Sequence, residues 1–190
     1  MPNPPPREVI AVRSLTVSDL GLFVAQRQGL PSRQRAINVN ARIARVLLSR
    51  RLFEAGGGDF RCVSRFGEAV LDEIRPLRIS GKNWRLSGAR ITDPAFALLD
   101  SKDFVLIRTV EENDGGHPLD VTFFSRSNDL VMQAGLASVV ERSLGQSMAL
   151  FREKDGLFPF LAQHCPATAA PLVARPGAAA FRTGSDHHVR

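Results

Sequence analysis

Apolar and polar positions alternate along several short stretches of this chain with the period of a strand, and recur at helical spacing along a few others. Glu8 to Leu15 (EVIAVRSL) alternates and is rich in Val and Ile, which predicts a first strand. Asp59 to Arg65 sets Phe60, Cys62 and Ser64 on one face and Arg61, Val63 and Arg65 on the other, again a strand pattern. Phe104 to Val110 (FVLIRTV) and Leu119 to Ser125 (LDVTFFS) carry the strongest strand signals, and the Asn-Asp-Gly-Gly sequence between them makes a hairpin loop. Ser32 to Asn40 alternates as well: Arg33, Arg35 and Asn38 face one way while Gln34, Ala36 and Ile37 begin to face a core, as in a short exposed strand.

Helical spacing takes over at Ala41 to Phe53, where Ile43, Val46 and Leu47 form the apolar stripe and Arg42, Arg45, Arg50 and Arg51 stay outside, with Asn38 or Asn40 as the cap. Gly56-Gly57-Gly58 ends that segment. Glu68 to Ile74 reads as a short helical turn before Pro76. A long helix is predicted from Ser127 or Asn128 to about Lys154, with Leu130, Ala134, Ala137, Leu144, Met148 and Phe151 as its buried stripe. Two polar segments interrupt the pattern and read as exposed arms: Phe23 to Ser32, which follows a turn at Ser18-Asp19-Leu20-Gly21, and Arg75 to Arg90. The expected organisation is a disordered start (residues 1–7), one domain (8–158) and a flexible Ala/Pro-rich tail (159–190).

Charge sharpens this picture. Residues 1–90 carry 16 Lys or Arg against 7 Asp or Glu (+9), residues 91–160 carry 6 against 11 (−5), and the last 30 add +2, which gives the net +6. Such a division suits a directional electrostatic surface, and Arg, a planar and permanently charged fork, matches phosphate oxygens and the guanine edge bidentately. The basic stretch Arg75 to Arg90 holds Arg75, Arg78, Lys82, Arg85 and Arg90 with no acid, around the only tryptophan, Trp84. An aromatic among cations can stack on nucleic acid, although a lone Trp more often fills a core. No apolar run approaches the ~20 residues of a membrane helix, and the Pro-rich start lacks the apolar region of a signal peptide. The expectation is a cytoplasmic, nucleoid-associated protein with no membrane partner. Cys62 and Cys165 lie far apart without Cys-x-x-Cys spacing, so neither a metal site nor a disulfide framework is expected, and no cofactor.

In this order the chain resembles the N-terminal effector-binding domain of EcoRII-type restriction endonucleases, a DNA-binding pseudobarrel related to domains of certain plant transcription factors. Three blocks carry the likeness: Leu15 to Leu48, with its Ser-Asp-x-Gly turn, polar arm, Ile37-Asn38-Val39 strand and short helix; Arg75 to Arg90 leading into Phe104 to Ile107; and Leu119 to Gly145, where VTFFSRS passes through Asn128-Asp129 into a helix with Val139, Val140 and Glu141. The resemblance implies an α+β, mainly β fold, a seven-stranded open pseudobarrel with two flanking helices, whose two arms grip the major groove of double-stranded DNA. Base readers would then be Arg33, Gln34 and Asn38 from the first arm and lie among Lys82, Asn83, Trp84 and Arg85 of the second. Phosphate ligands would be Arg27, Arg35, Arg42, Arg45, Arg75, Arg78 and Arg90. The chain departs from the family pattern at Arg33, where a histidine is expected, at Asn38, where a tyrosine is expected, and in a shorter second arm, so no target sequence is inherited. A separate nuclease or other effector protein would be the natural partner of such a module.

Two other classes stay open on the sequence. Asp100-Ser101-Lys102 with Asp93 upstream matches by letters the carboxylates and lysine of a small magnesium-dependent nuclease. A basic face can also serve RNA or a protein partner. No Gly-rich phosphate loop, His-Glu-x-x-His helix or Gly-x-Ser-x-Gly elbow occurs, and His117 and His164 lack ligand-spaced partners.

Overall fold

A computed structural model describes residues 7–19, 36–87, 96, 98–127, 129–141, 143 and 148–169. The strands are β1 (Glu8–Ser14), β2 (Ile37–Val39), β3 (Gly57–Phe66), β4 (Ala69–Ser80), β5 (Asn83–Leu86), β6 (Phe104–Val110), β7 (Leu119–Phe124) and β8 (Met148–Arg152). They form one sheet in the order β2-β5-β4-β3-β7-β6-β1-β8. All neighbours are antiparallel except β3 and β7. Every strand contributes to a single apolar cluster, from Val9, Val39, Cys62 and Leu77 to Trp84, Ile107, Val121 and Met148. The sheet therefore curls into a nearly closed, barrel-like body, mainly β. It has eight strands rather than the expected seven.

The additional strand, β8, lies where periodicity predicts the end of a long helix. Helical structure after β7 is short: a π-helical turn (Met132–Leu136) runs into α3 (Ala137–Glu141), with Gly135 at φ 110° interrupting regular helix geometry. Met148 and Phe151 are three apart and satisfy a helical stripe, yet in the strand they face opposite ways. Met148 joins the barrel interior, while Ala149 and Phe151 join a second apolar layer. That layer also holds Ile10, Val12, Leu106, Leu136, Val140, Leu157 and Leu161, so β1 and β6 are buried on both faces and read as nearly continuous apolar runs.

The outer layer is completed by α4 (Leu157–His164) and α5 (Pro166–Ala169), so the expected flexible tail from 159 is corrected as far as residue 169. Leu157 and Leu161 are buried, and the Thr168 carbonyl accepts from the buried Arg108 guanidinium, which also pairs with Glu8. Residues 1–6 and 170–190 lie outside the described residues.

Ala41 to Phe53 divides into two short helices, α1 (Ala41–Leu47) and α2 (Arg50–Glu54). Asn40 caps the first, its Oδ1 accepting from Ile43 N at 2.8 Å, and Ser49 caps the second. The break lets Leu48 bridge to Asn113. The helical turn expected at Glu68 to Ile74 is instead the start of β4. Its outward Val70 and Ile74 are exposed apolar side chains, which blur the alternation in the sequence. Gly57 sits at φ 124°, where an added Cβ would lie 2.1 Å from the Leu77 carbonyl oxygen; only glycine permits β3 to start there.

Candidate nucleic-acid interface

Register places the site. Antiparallel pairing sets Asn38 of β2 opposite Arg85 of β5, and Arg85 opposite Arg78 of β4. Side chains alternate across a strand, so with Ile37, Val39, Leu77, Trp84 and Leu86 buried in the barrel, Asn38, Arg85 and Arg78 share its outer face in one row. The β4–β5 connection has two residues, with Gly81 at φ 62° in the tight turn, and leaves Lys82 and Asn83 exposed at the tip. This tip lies beside the Val39 end of β2. Ala36, where the first arm returns, lies beside Leu86 at the other end. The start of β2 and the β4–β5 turn thus border one face, formed by β2, β5 and the end of β4.

Two arginines directly opposed across a ladder repel each other. Arg78 offsets this with an ion pair to Asp59 at 2.8 Å, both groups more than half exposed and readily exchanged for another anion. Arg85 is different. It is half-buried, its Nε is buried with no hydrogen-bond partner, and no carboxylate pairs with it among the described residues. That Nε is shut off from solvent, so an incoming acceptor would reach it only as the side chain turns outward between Asn38 and Arg78.

Beneath the row lies a buried carboxylate that the sequence reading passed over. Asp19, fully buried in its side chain, accepts from Arg13 Nε (2.8 Å), Thr16 N (2.9 Å) and Thr16 Oγ1 (2.7 Å) through Oδ2. Its Oδ1 accepts from Asn38 N (3.2 Å) and Nδ2 (3.3 Å). The carboxylate ties the end of β1 to β2 and fixes the Asn38 amide with Oδ1 free of that contact. The signal available in the sequence was Asp19 in its turn six residues beyond Arg13, in a segment otherwise short of acids.

Two expected ligands are corrected. Trp84 is 2% exposed and stacks on Phe53 with centroids 4.9 Å apart, so it fills the core and offers no face to a base. Arg75 points into the barrel: it is 2% exposed and donates to the carbonyls of Ser87 (3.1 Å) and Leu86 (3.3 Å) and to Ser64 Oγ (3.4 Å). Burial pushes its pKa down, and it cannot reach a phosphate. Among the helical cations, Arg45 lies over the Phe53 ring at 5.1 Å, Arg50 pairs with Glu54, and Arg42 is exposed on the far side of β2 from β5, facing β8. Arg27, Arg33, Gln34, Arg35 and Arg90 lie outside the described residues.

Asp93 also lies outside them, and Asp100 and Lys102 sit in an exposed turn before β6, not on a strand. Asp100 Oδ1 accepts from Ser101 N at 2.6 Å, and Lys102 has φ 72°. Among the described residues no group of three or more His, Cys, Asp or Glu is arranged to hold a metal. Cys62 is buried in the barrel, its thiol pushed up to about 12 by burial, and Cys165 donates to Thr168 Oγ1. No helix among the described residues is long and apolar enough to cross a membrane. No protein-family model matches the chain, and no curated protein matches it either.

Proposed function

We propose that this chain is a sequence-reading module for double-stranded DNA that performs no chemistry of its own, acting as the recognition or regulatory component of a restriction or defence system. The observation that carries the reading is the outward row Asn38–Arg85–Arg78, with no carboxylate claiming the central Arg85 guanidinium among the described residues. Arg85 is the residue suited to a guanine O6/N7 edge, and Asn38 and Asn83 to an adenine. Arg78 and Lys82 contribute phosphate contacts, Arg78 by exchanging Asp59 for a phosphate oxygen. The first arm, with Arg33, Gln34, Arg27 and Arg35, completes the grip in this reading.

Selection from random duplex DNA tests it. The expected result is an enriched site containing at least one guanine whose replacement costs about 1–3 kcal/mol, a cost abolished in Arg85→Ala. Replacing Lys82 should weaken binding to every duplex alike and reduce the salt slope by roughly one unit. Recovery of no enriched site, or tighter binding to single strands than to duplex, would contradict the reading.

A further inference from the structure

The barrel is not closed. Its end strands, β2 and β8, are not joined by a ladder, and a groove of about 640 Å³ lies between β8 and α1, the helix that follows β2. The floor is apolar, formed by Ile43 and Val46 of α1 and by Met148, Ala149 and Leu150 of β8. The polar walls are Asn40, Arg42, Ser143 and Arg152, and no acid is among the described residues that line the groove. Arg152 is held by Glu111 at 2.8 Å, whereas Arg42 is exposed and no described carboxylate pairs with it. β8 pairs with β1 on one side and with no described strand on the other, so alternate residues of the strand present backbone donors and acceptors away from β1. A second cavity of about 590 Å³ shares Ser143 and Leu150 with the first, so the hollow continues along the same edge.

We propose that this seam is a docking site for an extended acidic segment of a partner protein, added to β8 as a ninth strand. The edge supplies main-chain hydrogen bonds, alternate apolar side chains enter the floor, and Arg42 selects carboxylates on the intervening positions. A strand edge over an apolar floor repeats with the spacing of a polypeptide and offers little to a sugar–phosphate chain, which favours protein over nucleic acid here. None of Asn38, Arg85 and Arg78 lines the groove, so the inference does not depend on the DNA reading.

The test is hydrogen exchange of the full chain with a blocked heptapeptide alternating valine and glutamate, compared with the same peptide carrying lysine for glutamate. The glutamate peptide should slow exchange within Met148–Arg152 and the lysine peptide should not. Arg42→Glu, with its fold checked by circular dichroism, should weaken the glutamate peptide at least about tenfold, the equivalent of 1.4 kcal/mol, and strengthen the lysine peptide. Equal protection by both peptides, absence of protection in β8, or protection of β8 by a short DNA duplex in their place would overturn the proposal.

Discussion

Asp19 shows how much can hang on one side chain. Its carboxylate accepts five hydrogen bonds from three residues, and Arg13, only 8% exposed, has that oxygen as its ion-pair partner. Removing it leaves a guanidinium buried without its counter-charge and frees the Asn38 amide. Asp19→Ala should therefore cost about 3–5 kcal/mol in urea denaturation, with Asp19→Asn milder because its amide oxygen still accepts. A loss below 1 kcal/mol for the alanine variant would show that the hub is not structural. Cys62 supplies a second residue-scale expectation. Burial holds its thiol near 12 against an ordinary value near 9, so the folded state keeps a proton that the unfolded chain gives up. Its contribution to stability is intact below about pH 9 and falls as pH rises from there toward 12. Thiol titration of the native protein at pH 8 should find Cys165 reactive and Cys62 protected until denaturant is added.

At the scale of elements, what was legible in the sequence follows from how many faces each strand buries. β1, β6 and β7 are buried on both faces and rich in Val, Ile, Leu and Phe, and β3 alternates cleanly, so all four were readable from residue pattern alone. β8 was hidden because a strand sandwiched between the barrel and the helical layer places apolar residues at successive positions, Met148 to Phe151, which helical spacing also accommodates. β4 was hidden for the opposite reason, since Val70 and Ile74 are apolar but exposed. Of the candidate site, the basic 75–90 segment and the Asn38 strand were visible as types of residue, but which arginine faces outward depended on register. Arg78 and Arg85 came to the surface and Arg75 went into the barrel, where it links β4 to the carbonyls at the end of β5. Arg75→Ala should thus destabilise the fold by about 2–4 kcal/mol through the cavity and the orphaned carbonyls, and leave the salt slope of any DNA binding unchanged. A reduced slope at full stability would return Arg75 to the surface.

For the whole molecule, the division between a basic N-terminal half and an acidic C-terminal segment becomes spatial. Arg78, Arg85 and Lys82, from β4, β5 and their turn, lie on one face of the barrel, while Arg75 is buried within it. A buried ion pair, Glu8 with Arg108, whose guanidinium also donates to the Thr168 carbonyl, lies toward the other end of the sheet under the helical layer. The most direct test follows the arginine Nε–H and asparagine side-chain resonances as a short DNA duplex is added. The account predicts that the Arg85 Nε–H shifts first and furthest, together with Asn38, Arg78 and Asn83, while the buried Arg75 and Arg108 stay fixed. A duplex that binds without moving Arg85, or that perturbs only the opposite face, would contradict it.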